Sequence, residues 1–116
     1  MSDVTIFHNP NCGTSRNALA LLKEKGVQPK VVEYLKVGWT EPQLKGLFHQ
    51  MGVSPRDLLR VRGTDAGERG LTGPKASDAD ILKAMTENPI LVERPIVVTP
   101  KGAALCRPAD KVLSLL

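Results

Sequence analysis

The stretch from Val4 to Leu35 constrains the fold more than any other part of the chain. Val4-Thr5-Ile6-Phe7 is short, apolar and rich in β-branched residues, the composition of a buried strand. His8 to Gly13 supplies Asn, Pro and Gly, which favour a turn or loop. Thr14 to Lys25 predicts a helix whose apolar face is Ala18, Leu19, Leu21 and Leu22, with Gly26 as its C-terminal stop. Lys30 to Leu35 reads as a second strand. A strand, a helix and a strand in so few residues make a βαβ unit, and its strands run parallel.

The middle of the chain is helical. Thr40 and Gln43 have the spacing of a capping box, opening a helix to about Met51. Ser54-Pro55 starts a short helix to about Val61, with proline in its first turn. Arg62 to Lys75 holds four glycines and Pro74 and reads mostly as loop. Ser77 or Asp78 opens a third helix, Ala79 to Glu87, ending before Pro89. Sheet pattern then returns in Pro95 to Val98, followed by a turn at Thr99-Pro100-Lys101-Gly102 and a hairpin partner, Ala103 to Cys106. A last helix from Pro108 offers Val112, Leu113, Leu115 and Leu116 for packing on the sheet. The order βαβ, helices, ββα describes an α/β chain with a mixed four-stranded sheet and a helical insert at about residues 40–90. No linker divides it, so residues 1–116 are expected to form a single domain.

Composition narrows the function. Apolar residues make up 41% and charged residues 24%, as in ordinary globular proteins. No run of about eighteen apolar residues occurs, and MSDVTIFHNP lacks the basic start and apolar stretch of a secretory signal. A cytoplasmic protein without a membrane partner is expected. The net charge of +4 is spread along the chain and aromatics are 3%, which leaves no stacking platform for nucleic acid. A small anionic substrate fits better.

The two cysteines are too few for a disulfide scaffold, and one stands in a chemically distinctive place. Cys12 lies between the end of a strand and the start of a helix, where free N–H groups and the helix dipole stabilise an anion. His8 precedes it by four residues and Arg16 follows it by four. Such surroundings favour thiolate over thiol, and thiolate is the nucleophile. The run Cys12-Gly13-Thr14-Ser15 has Ser15 where a dithiol enzyme has its second cysteine, so an external thiol is needed to resolve an intermediate, and glutathione is the abundant cytosolic one. A phosphatase-type Cys-x5-Arg loop is absent, because position 18 is Ala18. Arginines for an oxyanion must come from elsewhere: Arg94 before the PIVV strand, Arg107 after the last strand, and Arg60 or Arg62 in the insert. Guanidinium forks suit a tetrahedral dianion. An arginine such as Arg60 taken alone is more often a solvated charge.

His8 to Asn17, Leu58-Leu59-Arg60, Asn88-Pro89-Ile90-Leu91, Arg94 to Pro100 and Leu105-Cys106-Arg107-Pro108 together resemble the glutaredoxin-dependent bacterial arsenate reductases, the ArsC family, in register over essentially the whole chain. The resemblance implies a thioredoxin-like fold with an inserted helical subdomain and a reduction of arsenate to arsenite through a covalent Cys12–arsenate intermediate. It implies Cys12 as nucleophile, His8 as the residue assisting its ionisation, and Arg60, Arg94 and Arg107 as arsenate ligands. Pro95 matches the cis-proline of that fold, and Ser15 and Arg16 stand as supporting residues. Glutathione is the implied co-substrate, glutaredoxin the implied partner, and a monomer the expected state; no metal or bound cofactor is required.

Two other readings stay open. Spx-like regulators share this fold and bind RNA polymerase, although they usually carry Cys-x-x-Cys. A glutathione-dependent oxidoreductase of the same fold would act on a different substrate. Arg16 either anchors the helix start or touches glutathione. Cys106, after Ala-Ala-Leu in a predicted strand, reads as a packed structural cysteine, and Tyr34, Trp39, His49 and Met51 read as packing or solvent-facing residues.

Overall fold

The computed structural model describes residues 3–116. They fall into two compact units, the chain up to Val37 with Arg94–Leu116, and Gly38–Glu93.

The first unit holds strands β1 (Thr5–Phe7), β2 (Lys30–Val32), β3 (Ile96–Thr99) and β4 (Gly102–Leu105) in one sheet of order β2-β1-β3-β4. β1 and β2 are parallel, while β3 runs antiparallel to both β1 and β4, giving the expected mixed sheet. Helix α1 (Gly13–Glu24) makes the crossover from β1 to β2, and Gly26, at φ 79°, takes the chain away from it.

The second strand is shorter than the stretch Lys30 to Leu35 suggests. β1 pairs with it over three residues, and His8 N–H to Val32 O (2.8 Å) lies at the end of the pair. The chain instead winds into a short helix α2 (Tyr34–Val37), which buries Tyr34.

Paired strand residues share a face. Ile6 lies opposite Val97, and Val97 opposite Ala104. With Val4 they meet Ala18 and Leu22 of α1, and Cys106, Val112 and Leu115 complete this core. The final segment, Ala109–Leu115, is a 3₁₀ helix rather than the α-helix its sequence suggests. At three residues per turn, positions three apart eclipse. Val112 and Leu115 therefore both face the core, and Leu113, expected to pack on the sheet, is turned out and 41% exposed. Thr99 Oγ1–H bonds to Leu115 O (2.7 Å) and ties the end of the helix to β3.

The second unit opens with α3 (Glu41–Met51), capped reciprocally by Thr40 and Gln43. Ser77 caps α4 (Asp78–Glu87) through Asp80 in the same way. The helix begun at Ser54-Pro55 is a 3₁₀ turn, Pro55–Leu58, and stops short of Val61. Leu59 leaves it in an extended conformation and forms an antiparallel bridge with Val92, while Arg60 N–H bonds to Leu91 O (2.7 Å). A further 3₁₀ turn, Pro89–Leu91, follows α4. The glycine-rich segment after Arg62 is a series of turns around buried Ala66 and Leu71. The Arg56 guanidinium clasps it by donating to the carbonyls of Leu71 (3.3 Å), Gly73 (3.3 Å) and Ala76 (2.6 Å). Among the described residues no helix is long and apolar enough to cross a membrane.

Leu22 is fully buried at the centre of the first unit's core and Val37 is 71% exposed. Leu22→Ala should lower the unfolding free energy by about 2–5 kcal/mol. Val37→Ala should change it by less than about 0.5 kcal/mol. Urea denaturation with the m-value held constant measures both.

Candidate active site

Sheet register brings three distant pieces of the chain to one place. Ile96 pairs with Phe7 on one side and Leu105 on the other. The end of β1, the entry to β3 and the exit from β4 therefore lie at the same end of the sheet, and Cys106 N–H to Pro95 O (2.9 Å) extends the hairpin by one more bond. The loop carrying Cys12 leaves β1 there, Arg94 enters β3 there, and Arg107 leaves β4 there. The Arg94–Pro95 and Arg107–Pro108 peptide bonds are both cis.

Cys12 is the N-cap of α1 in an extended conformation. Its loop is pinned from several sides. Cys12 N–H bonds to Asn9 O (3.0 Å), Asn11 N–H to Asn9 Oδ1 (2.9 Å), and Arg16 Nη1 to Pro10 O (2.9 Å). Of the two roles open to Arg16, this structure displays the first: it staples the loop to the helix start.

The sulfur is 8% exposed as part of its residue, so burial alone would hold the thiol protonated. That effect is outweighed. The Ser15 backbone N–H and the Arg94 and Arg107 side chains favour the thiolate as donors, and the charge of Arg94 adds to them, leaving the Cys12 thiol at about 7, below the ordinary range. Arg107 Nη1 stands 3.7 Å from Cys12 Sγ and 3.0 Å from Arg94 O, so the Arg94 carbonyl helps to hold its fork in place. Arg94 is buried, and its Nε and Nη1 have no hydrogen-bond partner among the described residues. Buried donors left open beside a nucleophile are the arrangement an incoming oxyanion completes.

His8 shares the loop with Cys12. Its Nδ1 lies 2.6 Å from Ser15 Oγ, and that oxygen also accepts the Asn9 N–H (3.1 Å). Burial lowers the imidazole's pKa; Glu33 opposes this, while Arg16 and Lys23 reinforce it. A neutral ring supplies no positive charge to Cys12, and the thiolate depends on Ser15 N–H and the two arginines. Asn9, buried and holding the loop through both its side chain and its main chain, was not singled out in the sequence; its place in an Asn-Pro-Asn turn was the available signal.

Arg60 belongs to the Gly38–Glu93 unit, where its Nη1 forms an ion pair with Glu93 Oε1 (2.7 Å) and only 12% of its side chain is exposed. It is not the solvated charge that base rates favour. Cys106 is fully buried, and burial pushes its thiol up to about 11 against the weaker pull of Lys111. It is the packed thiol its surroundings in the sequence suggested.

Residues 7–115 match the model of the ArsC family. The chain belongs to that family. It is 54% identical over 113 residues to an arsenate reductase of Synechocystis sp., covering 97% of this chain and 81% of the relative. An arsenate reductase of Escherichia coli is 45% identical over 116 residues, covering 100% of this chain and 82% of the relative. The solved structure of an arsenate reductase from Vibrio cholerae superposes with a TM-score of 0.93 at 39% identity, covering 97% of each chain. The sheet and helices of this ArsC protein thus form the thioredoxin-like fold expected from its sequence.

With the Cys12 thiol at about 7, lowering the pH to about 6 should leave roughly a tenth of it ionised. The alkylation rate by iodoacetamide should fall accordingly, with a midpoint near pH 7. Cys106 should react only on unfolding. Peptide mapping after timed alkylation distinguishes the two sulfurs.

Proposed function

We propose that this protein reduces arsenate to arsenite, with Cys12 as the nucleophile, glutathione as co-substrate and glutaredoxin as the recycling partner. The observation that carries this reading is a low-pKa thiolate beside a buried arginine whose Nε and Nη1 are unsatisfied. Arg94 and Arg107 are the guanidinium groups at the sulfur, and they suit a tetrahedral oxyanion. The names of the ArsC relatives supply arsenate as the anion. Arg60 enters the proposal through the family resemblance.

The thiolate attacks arsenic, an S–As bond forms, and one arsenate oxygen leaves as water after protonation. A glutathione thiol then displaces a second oxygen as water. The Cys12 and glutathione sulfurs supply the two electrons that take arsenic(V) to arsenic(III): both S–As bonds break as the two sulfurs join in a mixed disulfide, one water adds back to arsenic to release arsenite, and glutaredoxin and further glutathione return the disulfide to thiols. The need for an external thiol follows from Ser15 at the position of a local resolving cysteine and from Cys106 being sealed in the core. Removing Cys106 as Cys106→Ala should therefore leave turnover largely intact.

Purified protein with glutathione, glutaredoxin and NADPH-linked recycling should consume NADPH only when arsenate is added. Cys12→Ser should abolish that signal. Turnover of small disulfides with none of arsenate would replace the reading by a glutathione-dependent reductase of another substrate. Arg94→Lys exchanges a fork for a point charge. The loss of a charge-assisted hydrogen bond, about 1.5–3 kcal/mol, should lower kcat/KM for arsenate by roughly 10- to 150-fold. Unchanged kinetics would remove Arg94 from the site.

A further inference from the structure

Ser15 meets the rest of the site through two different atoms. Its backbone N–H favours the Cys12 thiolate, and its hydroxyl, in a fully buried residue, lies between Asn9 and His8. A hydroxyl has one proton to give and two positions at which to accept. The Asn9 backbone N–H can only donate, so its 3.1 Å contact uses one accepting position of Ser15 Oγ. Among the described residues, the one other partner of that oxygen is His8 Nδ1, at 2.6 Å. A buried hydroxyl proton is almost always bonded. The Ser15 proton therefore points at Nδ1, which must carry a lone pair to receive it. A neutral imidazole with a bare Nδ1 is protonated at Nε2. The opposite arrangement, with Nδ1–H donating, would leave Ser15 accepting two bonds and its own proton buried without an acceptor.

We propose that Ser15 is a positioning residue for His8: its hydroxyl, held by the Asn9 N–H, locks the ring in the Nε2–H tautomer, so that His8 can give a proton at Nε2 but has no free lone pair to take one from Cys12. One residue thus serves both neighbours, the main chain stabilising the sulfur anion and the side chain fixing the imidazole. The link to chemistry rests on Cys12 being the nucleophile; the tautomer itself does not.

Long-range proton–nitrogen NMR on protein with ¹⁵N-labelled histidine reads the tautomer directly. The chain has two histidines, and His49→Gln assigns the signals. The unmodified protein at neutral pH should show His8 with Nδ1 unprotonated and Nε2 protonated. Ser15→Thr, which keeps a hydroxyl, should preserve that pattern. Ser15→Ala should give a mixture of tautomers or the Nδ1–H form, while the backbone N–H of residue 15 is kept. A protonated Nδ1 in the unmodified protein overturns the proposal, and so does a Ser15→Ala spectrum with the same single tautomer. An Nε2–H spectrum in a protein that fails the arsenate assay would support the positioning role and sink the functional reading.

Discussion

Everything at Cys12 hangs on the pairing of Ile96 with Phe7 on one side and Leu105 on the other. Side chains in a sheet alternate faces, so a one-residue slip in either ladder would move Val97 out of the core and shift Arg94 or Arg107 along the sheet. The register is held by the apolar face it buries. Ile6, Val97 and Ala104 align across three strands against Ala18 and Leu22 of α1. The same burial that stabilises the unit therefore fixes where its charged groups stand.

Those charged groups work against the burial. A thiol closed off from water prefers to keep its proton. Cys12 escapes this through the Ser15 N–H at a helix start and through the two arginines. Cys106 shows the uncompensated case within the same unit: it is buried without such donors, and its thiol lies far above neutrality. Two cysteines of one fold are thus separated by several pH units through their neighbours alone. Arg94 carries a cost of its own, since two of its donors are buried without partners among the described residues. Such a residue gains most when an anion arrives to satisfy it.

Local features were legible in the sequence. The Thr40–Gln43 and Ser77–Asp80 caps lie within a few residues of the helices they start, so spacing alone reveals them. The strand order of the hairpin placed Arg94 and Arg107 near each other, and the Asn-Pro-Asn-Cys-Gly loop marked Cys12 as a thiol at a helix start. What was illegible depends on distant partners. β2 ends at Val32, where its pairing with β1 ends, which the stretch Lys30 to Leu35 cannot announce. The Leu59–Val92 bridge and the Arg60–Glu93 pair each join residues 33 apart. His8 was placed on the correct loop, but its ring faces Ser15, and ring direction is a matter of rotamer and packing rather than of spacing.

The clasp formed by Arg56 has a consequence for how this chain can vary. All three of its acceptors are main-chain carbonyls, of Leu71, Gly73 and Ala76. Every amino acid offers the same carbonyl, so the guanidinium recognises the path of the segment and not its side chains. Natural drift or deliberate redesign of the other exposed positions between Arg62 and Ala76 can thus proceed while the path endures, provided that buried Ala66 and Leu71, Gly63 and Gly70 with their positive φ, and the arginine itself are retained.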